Sequence, residues 1–320
     1  MKKIVLILSL LSFSFFTIFA QKGESEYVNI SLPSRNKTEN SSTKVEKKDI
    51  DQLTSDVDQN VPELGKTYTN RFALVIGNED YSSYQEGLDN ESNVPFARKD
   101  ALAFKLYAEK TLGIPSDNII FLLDAKVVEM KRAVDKINLL SKSLNGEAEL
   151  FFYYAGHGYP DEVSLEPFLI PVDVSGSDLQ YAIKLNDVYD KLTEFPAKRI
   201  TVFIDACFSG GARNAGLVSA RAVKVKPKTK QLNGNIIVFT ASSGNQSAMA
   251  YEEKQHGLFT YYLLSELKDK KGEVTYPELS NYITQQVAVK SIMVNSKEQN
   301  VQTIMSPQVG DEWKKWSFGK

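Results

Sequence analysis

The chain has 320 residues, with 38 lysines and arginines against 40 aspartates and glutamates, and a formal net charge of −2. Nucleic-acid binding relies on a strongly basic surface, so this balance argues against nucleic acid as a partner. With 42% hydrophobic and 24% charged residues, the composition is typical of one sizeable globular domain with additional segments at its ends.

The first twenty residues have the order of features found in secretory signals. Lys2 and Lys3 precede an apolar run that extends to Phe19 and is followed by Ala20. This pattern predicts a cleavable signal peptide over residues 1–20, with an uncleaved membrane anchor as the alternative. We expect the protein to be secreted or periplasmic. No later apolar run has the length needed to cross a bilayer, so no membrane association is expected after signal removal.

A polar and charged stretch follows the signal and reaches about Lys66. It holds too few apolar residues to form a core, which predicts a disordered linker or propeptide over residues 21–66. The folded domain is therefore expected to occupy residues 67–320 and to begin near Tyr68.

Short, continuous apolar runs recur along this domain and predict strands that are buried on both faces. Segments with helical spacing separate the runs. Ala101, Phe104 and Ala108 lie between the first two runs, and Val134 and Ile137 lie between the next two. The runs occupy residues 72–76, 119–123, 150–154, 200–204 and 236–239.

Two further helices are expected later in the domain. Leu258, Leu263 and Leu267 form an apolar stripe, and Thr275 with Glu278 forms a capping box at a helix start. The alternation of strands and helices implies an α/β fold with a largely parallel sheet that is covered by helices on both sides.

Two glycine-rich motifs follow the third and fourth strands. His157 lies in a Gly-His-Gly sequence just past the third run, and Cys207 lies in an Asp-Ala-Cys-Phe-Ser-Gly-Gly sequence at the end of the fourth. Open parallel sheets bind ligands beyond the carboxyl ends of their strands. We therefore expect both reactive side chains to face the same edge of the sheet.

Cys207 is the only cysteine of the chain, so an internal disulfide is excluded and the thiol needs another explanation. A thiolate is a strong nucleophile, and a nearby imidazole such as that of His157 can exchange protons with it. The backbone N–H groups of Gly158 and Cys207 are candidates to hold the oxyanion of a tetrahedral intermediate. The alternative is that Cys207 is a buried packing residue and His157 a structural histidine.

Together these motifs resemble the caspase, metacaspase and paracaspase family. The resemblance runs from about Tyr68 to Pro307 and includes RFALVIGN, GHG, DACFSGG, TASSGNQSA and GLFTYYLL. The DxCxSG form of the cysteine motif is closest to metacaspases. The resemblance implies a caspase-like three-layer sandwich with a mostly parallel sheet of about six strands. It also implies a cysteine endopeptidase with a catalytic dyad of His157 and Cys207 and no required cofactor.

The resemblance also implies a substrate preference. Asp205 and Asp100 match two acidic residues that line the specificity pocket of metacaspases, so cleavage after Arg or Lys is expected. Opposite charges are required when a charged pair is desolvated in a pocket. Ala155 stands where relatives often carry serine, which predicts looser specificity. For Asp205 and Asp100 the alternatives are structural roles in the loop and at the helix start.

Calcium activates many metacaspases but is left unassigned in this chain. Four acidic residues are available, and calcium activation stays possible, but their spacing does not by itself require a calcium site. The closer match to metacaspases favours a monomer over a caspase-type dimer. The four residues are Asp161, Glu162, Asp173 and Asp178.

Residues 212–235 form a basic stretch that predicts a mobile surface loop. An acidic pocket would accept its lysines and arginines, so self-processing is expected there or in the basic linker.

His256 lies in a polar stretch and is predicted to be a surface or loop residue. Two other functions stay open: an inactive binding or scaffolding domain, and a different cysteine-dependent acyl transfer or hydrolysis.

Overall fold

The computed structural model describes residues 53–208, 230–243 and 246–319. The expected signal peptide, most of the expected linker and residues 212–229 of the basic loop lie outside these ranges. None of the helices within them combines the length and the apolar character that a membrane span requires.

A six-stranded sheet forms the centre of the domain, with the strand order β11-β8-β7-β3-β1-β2. Five strands of this sheet are parallel to one another, and the sixth, β11, runs antiparallel at one edge. All five apolar runs form strands of this sheet, which confirms the predicted fold class. The strands are β1 (Arg71–Gly77), β2 (Ile119–Leu123), β3 (Glu149–Ala155), β7 (Arg199–Asp205), β8 (Ile236–Thr240) and β11 (Gln302–Met305).

Within the described ranges, five short strands lie outside the main sheet. Three of them pair as an antiparallel sheet after β3, and two pair as a small ribbon before the fourth helix. The sequence patterns did not predict them, because two or three residues are too few to show a period. They are β4 (Gly158–Pro160), β5 (Pro167–Leu169), β6 (Ile183–Lys184), β9 (Ala250–Tyr251) and β10 (His256–Gly257).

Helices cover both faces of the sheet and complete three layers. One apolar core contains side chains of α1, α4 and α5, and a second contains side chains of α2 and α3. Alternate residues of one strand enter the two cores, as Val75 and Leu74 do. Thr275 and Glu278 form the predicted capping box. The helices are α1 (Ala97–Lys110), α2 (Val127–Ser143), α3 (Leu185–Leu192), α4 (Leu258–Asp269) and α5 (Tyr276–Asn295).

An ionic cluster closes the sheet at the end opposite to the glycine-rich motifs. Glu149 pairs with Arg71 and Arg199, and the guanidinium groups also donate to the carbonyl groups of Phe318 and Ser317. Burial by itself raises the pKa of Glu149, but Arg199, Arg71 and Lys198 more than offset this and hold it below its ordinary value. The stabilisation is therefore present at neutral pH and is lost as the pH falls through the depressed pKa.

The folded part of the chain begins earlier than position 67. Residues 53–58, here called the N-terminal segment, pack on the domain with Leu53 and Val57 buried. The hydroxyl of Tyr107 donates to the carbonyl oxygen of Val57 at 2.6 Å. Two apolar side chains in a polar stretch carry no periodic signal, so the sequence alone does not reveal this docking.

Replacing the carboxylate of the ionic cluster tests its contribution to stability. Glu149→Gln leaves two buried guanidinium groups without a counter-charge, so we expect the free energy of unfolding to fall by about 3–5 kcal/mol. The measurement is the urea midpoint with an unchanged m-value. Glu312→Gln, in a surface pair with Lys315, is the control and should leave the midpoint unchanged. Equal midpoints for both variants would contradict the role of Glu149.

Candidate active site

The pairing of β3 with β7 brings the two glycine-rich motifs together. Ala155 at the end of β3 lies directly beside Asp205 at the end of β7. His157 and Cys207 each follow two residues later, so the structure places them at the same edge of the sheet. The predicted location of the two residues agrees with this register.

Cys207 lies against the segment that follows β8. Its side chain is 3% exposed, and the backbone N–H of Ala248 points at Sγ from 2.8 Å. The thiol also lies 3.4 Å from the carbonyl oxygen of Ala248. The sulfur is thus held by the backbone of Ala248, which donates to it through the N–H and accepts from the thiol through the carbonyl oxygen.

A buried brace holds the segment that contacts the sulfur. Gln299 has no exposed surface; its Oε1 accepts from the N–H of Met249 at 2.9 Å, and its Nε2 donates to the carbonyl oxygen of Ala241 at 2.9 Å. The amide thus ties the end of β8 to the residue that follows Ala248. Gln299 stands in a polar stretch of the sequence, so no local pattern indicated this role.

His157 is held by backbone and tyrosine groups. Its Nε2 lies 2.7 Å from the carbonyl oxygen of Ser92. The hydroxyl of Tyr81 accepts from the backbone N–H of His157 at 3.0 Å and donates to the carbonyl oxygen of Ile170 at 2.9 Å. A carbonyl oxygen can only accept, so Nε2 carries a proton and Nδ1 of the neutral ring is unprotonated.

Gly158 lies tightly against the loop that carries the cysteine. An added Cβ at this position would stand 2.7 Å from the carbonyl oxygen of Cys207 and 2.6 Å from the ring of Phe208. Only a residue without a side chain allows this approach. The backbones of Gly158 and Cys207, whose N–H groups are the candidates for an oxyanion site, therefore adjoin.

The two predicted pocket residues both contact the start of α4. Asp205 has no exposed surface, and its Oδ2 accepts from the hydroxyl of Thr260 at 2.7 Å and from the Thr260 N–H at 3.3 Å. Asp100 lies in the first turn of α1, and both of its oxygens accept from the N–H of Gly257. The two carboxylates thus bind backbone groups that are three residues apart.

The prediction for His256 is wrong. The residue has no exposed surface, lies in β10 and contacts carboxylate oxygens of Asp100 and Asp58 through its two ring nitrogens. Burial disfavours the imidazolium, but these hydrogen bonds raise the pKa of His256 to about 9. Its partners are 156 and 198 positions away, so the neighbouring sequence gave no sign of them.

The acidic residues considered for calcium lie in separate local structures. Asp161 accepts from backbone N–H groups of its own turn, and Asp173 accepts from the N–H of Val127. Asp178 bonds the side chain of Gln180. Over the ranges that the structure describes, no three His, Cys, Asp or Glu side chains are grouped to hold a metal ion.

A family model described as the caspase domain matches residues 70–309. The chain belongs to this caspase-domain peptidase family. The match spans the sheet, both glycine-rich motifs and the helices α1 to α5. It confirms the family that the motifs of the sequence indicated.

Known relatives of this caspase-domain chain are distant. A probable protease from a Desulfuromonadales bacterium is 24% identical over 259 residues, which cover 70% of this chain and 30% of that protein. This chain therefore spans about a third of the length of that relative. Two crystal structures share the fold. A protein from Geobacter sulfurreducens has a TM-score of 0.54 and 18% identity, covering 74% of this chain and 93% of its own. Caspase-1 from Spodoptera frugiperda has a TM-score of 0.53 and 16% identity, covering 77% and 93%.

The two histidines of this caspase-domain protein should differ in nitrogen NMR spectra of histidine-labelled protein. The neutral ring of His157 should carry its proton at Nε2, because that atom faces a carbonyl oxygen. His256 should be doubly protonated at neutral pH and lose a proton as the pH rises through about 9. The sequence has only two histidines, so His256→Gln assigns both signals. A neutral His157 protonated at Nδ1 would contradict the assigned geometry.

Proposed function

We propose that this protein is a secreted cysteine endopeptidase that cleaves peptide bonds after Arg or Lys through a dyad of Cys207 and His157. One observation carries the proposal: the register of β3 and β7 sets both residues at one sheet edge, each two positions beyond a paired residue. Secretion is supported by the signal pattern at residues 1–20, and the acidic pair supports the basic preference.

In the proposed acylation step, Sγ of Cys207 attacks the carbonyl carbon of the substrate. The thiol proton moves to Nδ1 of His157, which is the ring nitrogen that faces away from the Ser92 carbonyl group. The N–H groups of Gly158 and Cys207 hold the oxyanion. His157 then gives the proton to the leaving amine, the C–N bond breaks and a thioester remains on Sγ.

Deacylation reverses the proton path. Water attacks the thioester carbonyl carbon and passes a proton to Nδ1 of His157, and the same N–H groups hold the second oxyanion. The C–S bond breaks and the sulfur of Cys207 recovers the proton. The hydrogen bond from Nε2 to the Ser92 carbonyl oxygen keeps that nitrogen protonated, so the proton that moves is always the one on Nδ1.

The proposed preference for Arg or Lys rests on two buried carboxylates near one helix start. Asp205 and Asp100 bind Thr260 and Gly257 at the start of α4. A cationic side chain entering beside them exchanges its hydration for two negative groups, whereas an acidic side chain would be repelled. The planar guanidinium group of arginine can donate to both carboxylates.

Hydrolysis of fluorogenic peptides ending in Arg, Lys or Asp tests the activity. We expect the mature protein to release fluorophore from the Arg and Lys peptides, and Cys207→Ala to lose at least about 10⁴-fold of this rate because the nucleophile is absent. Parallel assays with calcium and with a chelator reveal any metal requirement. The Asp peptide is the specificity control.

The same purified samples test self-processing. Fragments in the wild type that are missing from Cys207→Ala are expected at lysines or arginines of the basic loop or linker. A single band in an active wild type would contradict self-processing and leave the peptidase proposal intact. A folded, mature protein that turns over no peptide would contradict the peptidase proposal and favour a binding domain.

The charge of the pocket is tested with a neutral substrate of the same shape. Asp205→Asn should lower kcat/KM for an Arg peptide by about thirtyfold or more, because one partner of a desolvated charge pair is lost. The matched citrulline peptide has no charge and should be nearly unaffected. Asp187→Asn, on the exposed side of α3, is the control. Equal losses for both peptides would contradict a role of Asp205 in recognising the positive charge of the substrate side chain.

A further inference from the structure

Four charged side chains meet in the interior between the N-terminal segment, α1 and β10. His256 lies between two carboxylates, with Nδ1 2.7 Å from Oδ1 of Asp100 and Nε2 3.0 Å from Oδ1 of Asp58. Nζ of Lys99 lies 3.5 Å from Oδ2 of Asp58. The side chains of His256, Asp58 and Asp100 are completely buried. Two acidic and two basic groups thus share one interior site.

Burial makes this balance of charge necessary. A carboxylate removed from water becomes a much weaker acid unless a cation or several donors compensate it. With a pKa of about 9, His256 is a cation at neutral pH. It therefore places a positive charge beside Asp100, the residue that it contacts through Nδ1.

The cluster is directly continuous with the proposed specificity pocket. Gly257, whose N–H binds both oxygens of Asp100 at 3.0 and 3.1 Å, is the residue that follows His256. Asp205 binds Thr260 in the same turn of the chain. A change in the position or charge of His256 is thus transmitted to Asp100, which would bind the basic side chain of a substrate.

We propose that His256, oriented by Asp58 of the N-terminal segment, is a positioning residue that holds the carboxylate of Asp100 directed towards the start of α4. This inference rests on the proposed function, because it concerns the pocket of that peptidase. It adds residues outside both glycine-rich motifs to the determinants of specificity.

The N-terminal segment is anchored well enough to perform this role. Asp58 accepts from the N–H of Ser55 at 2.8 Å, which fixes the carboxylate within its own turn. Lys268 of α4 donates to the carbonyl oxygen of Asp56 at 2.5 Å. Maturation that removes the linker therefore leaves the pocket complete only when the cut falls before this segment.

The test follows the ratio of kcat/KM for an Arg peptide to that for its citrulline counterpart as a function of pH. Ionisation of the thiol and of His157 affects both peptides equally, so the ratio reports the acidic groups around the bound side chain. These are Asp205, Asp100 and Glu79, which interacts with Asp100. His256→Gln lacks a donor at the Nδ1 position and removes the positive charge beside the carboxylates of the proposed pocket. We expect the acid midpoint of the ratio to rise by about one pH unit or more.

Matched variants separate positioning from general loss of structure. His256→Asn keeps a donor near the Nδ1 position and should show a smaller rise of the midpoint. Asp58→Ala should raise it in the same direction because the ring loses its orientation, whereas Asp58→Asn keeps an acceptor oxygen and should resemble the wild type. Asp56→Ala, at a side chain that is 57% exposed, should leave the midpoint unchanged.

The outcomes distinguish the inference from the function on which it rests. A wild type that prefers Arg, with the same midpoint in folded His256→Gln, overturns the inference and leaves the peptidase intact. A wild type that hydrolyses neither peptide overturns both. A structural defect alone would lower the rates of both peptides without moving the midpoint of their ratio.

Wild-type protein provides a second measurement that does not depend on the folding of variants. His256 contacts Asp58 and Asp100 directly and is paired with Tyr251 on β9. Lys99 acts on it indirectly, through its ion pair with Asp58. An arginine peptide aldehyde bound to the thiol brings a second cation to Asp100 and should lower the pKa of His256 in NMR titrations. The citrulline aldehyde should not. Identical titrations with both bound aldehydes overturn the inference.

Discussion

The parallel pairing of β3 with β7, in the register that sets Ala155 beside Asp205, is the constraint on which the site depends. Side chains alternate between the two faces of a strand, so a slip of one residue would send every buried side chain of β7 into the wrong core. The two cores therefore lock the register. The same packing fixes how far beyond the sheet the loops of His157 and Cys207 begin, so it sets the geometry of the candidate site.

Much of this arrangement could be read from the sequence, and the limits have physical causes. Strands buried on both faces appear as uninterrupted apolar runs, so β1, β2, β3, β7 and β8 were visible. β11 is only half-buried at the sheet edge, and its mixed composition gave no signal. The helix start at Thr275 was visible because a capping box is local. The brace from Gln299 and the pairing of His256 depend on distant segments, and no local pattern encodes them.

The two histidines show how a partner sets the state of one side-chain type. Nε2 of His157 faces a carbonyl dipole, which fixes a tautomer without adding a full charge. His256 faces two carboxylates, which make it a buried cation. The proposed proton exchange at His157 needs the first situation, and the proposed positioning of Asp100 by His256 needs the second.

The ionic cluster at the base of the sheet has a consequence for biosynthesis. Arg71 stands at the start of the first strand, yet one of its acceptors is the carbonyl oxygen of Phe318, 247 positions later. Arg199 likewise depends on Ser317. A nascent chain that is still being elongated lacks these acceptors and leaves both guanidinium groups incompletely satisfied. The domain therefore reaches its native state only after residues 317 and 318 have been synthesised, and an intermediate that lacks them has an incomplete ionic cluster.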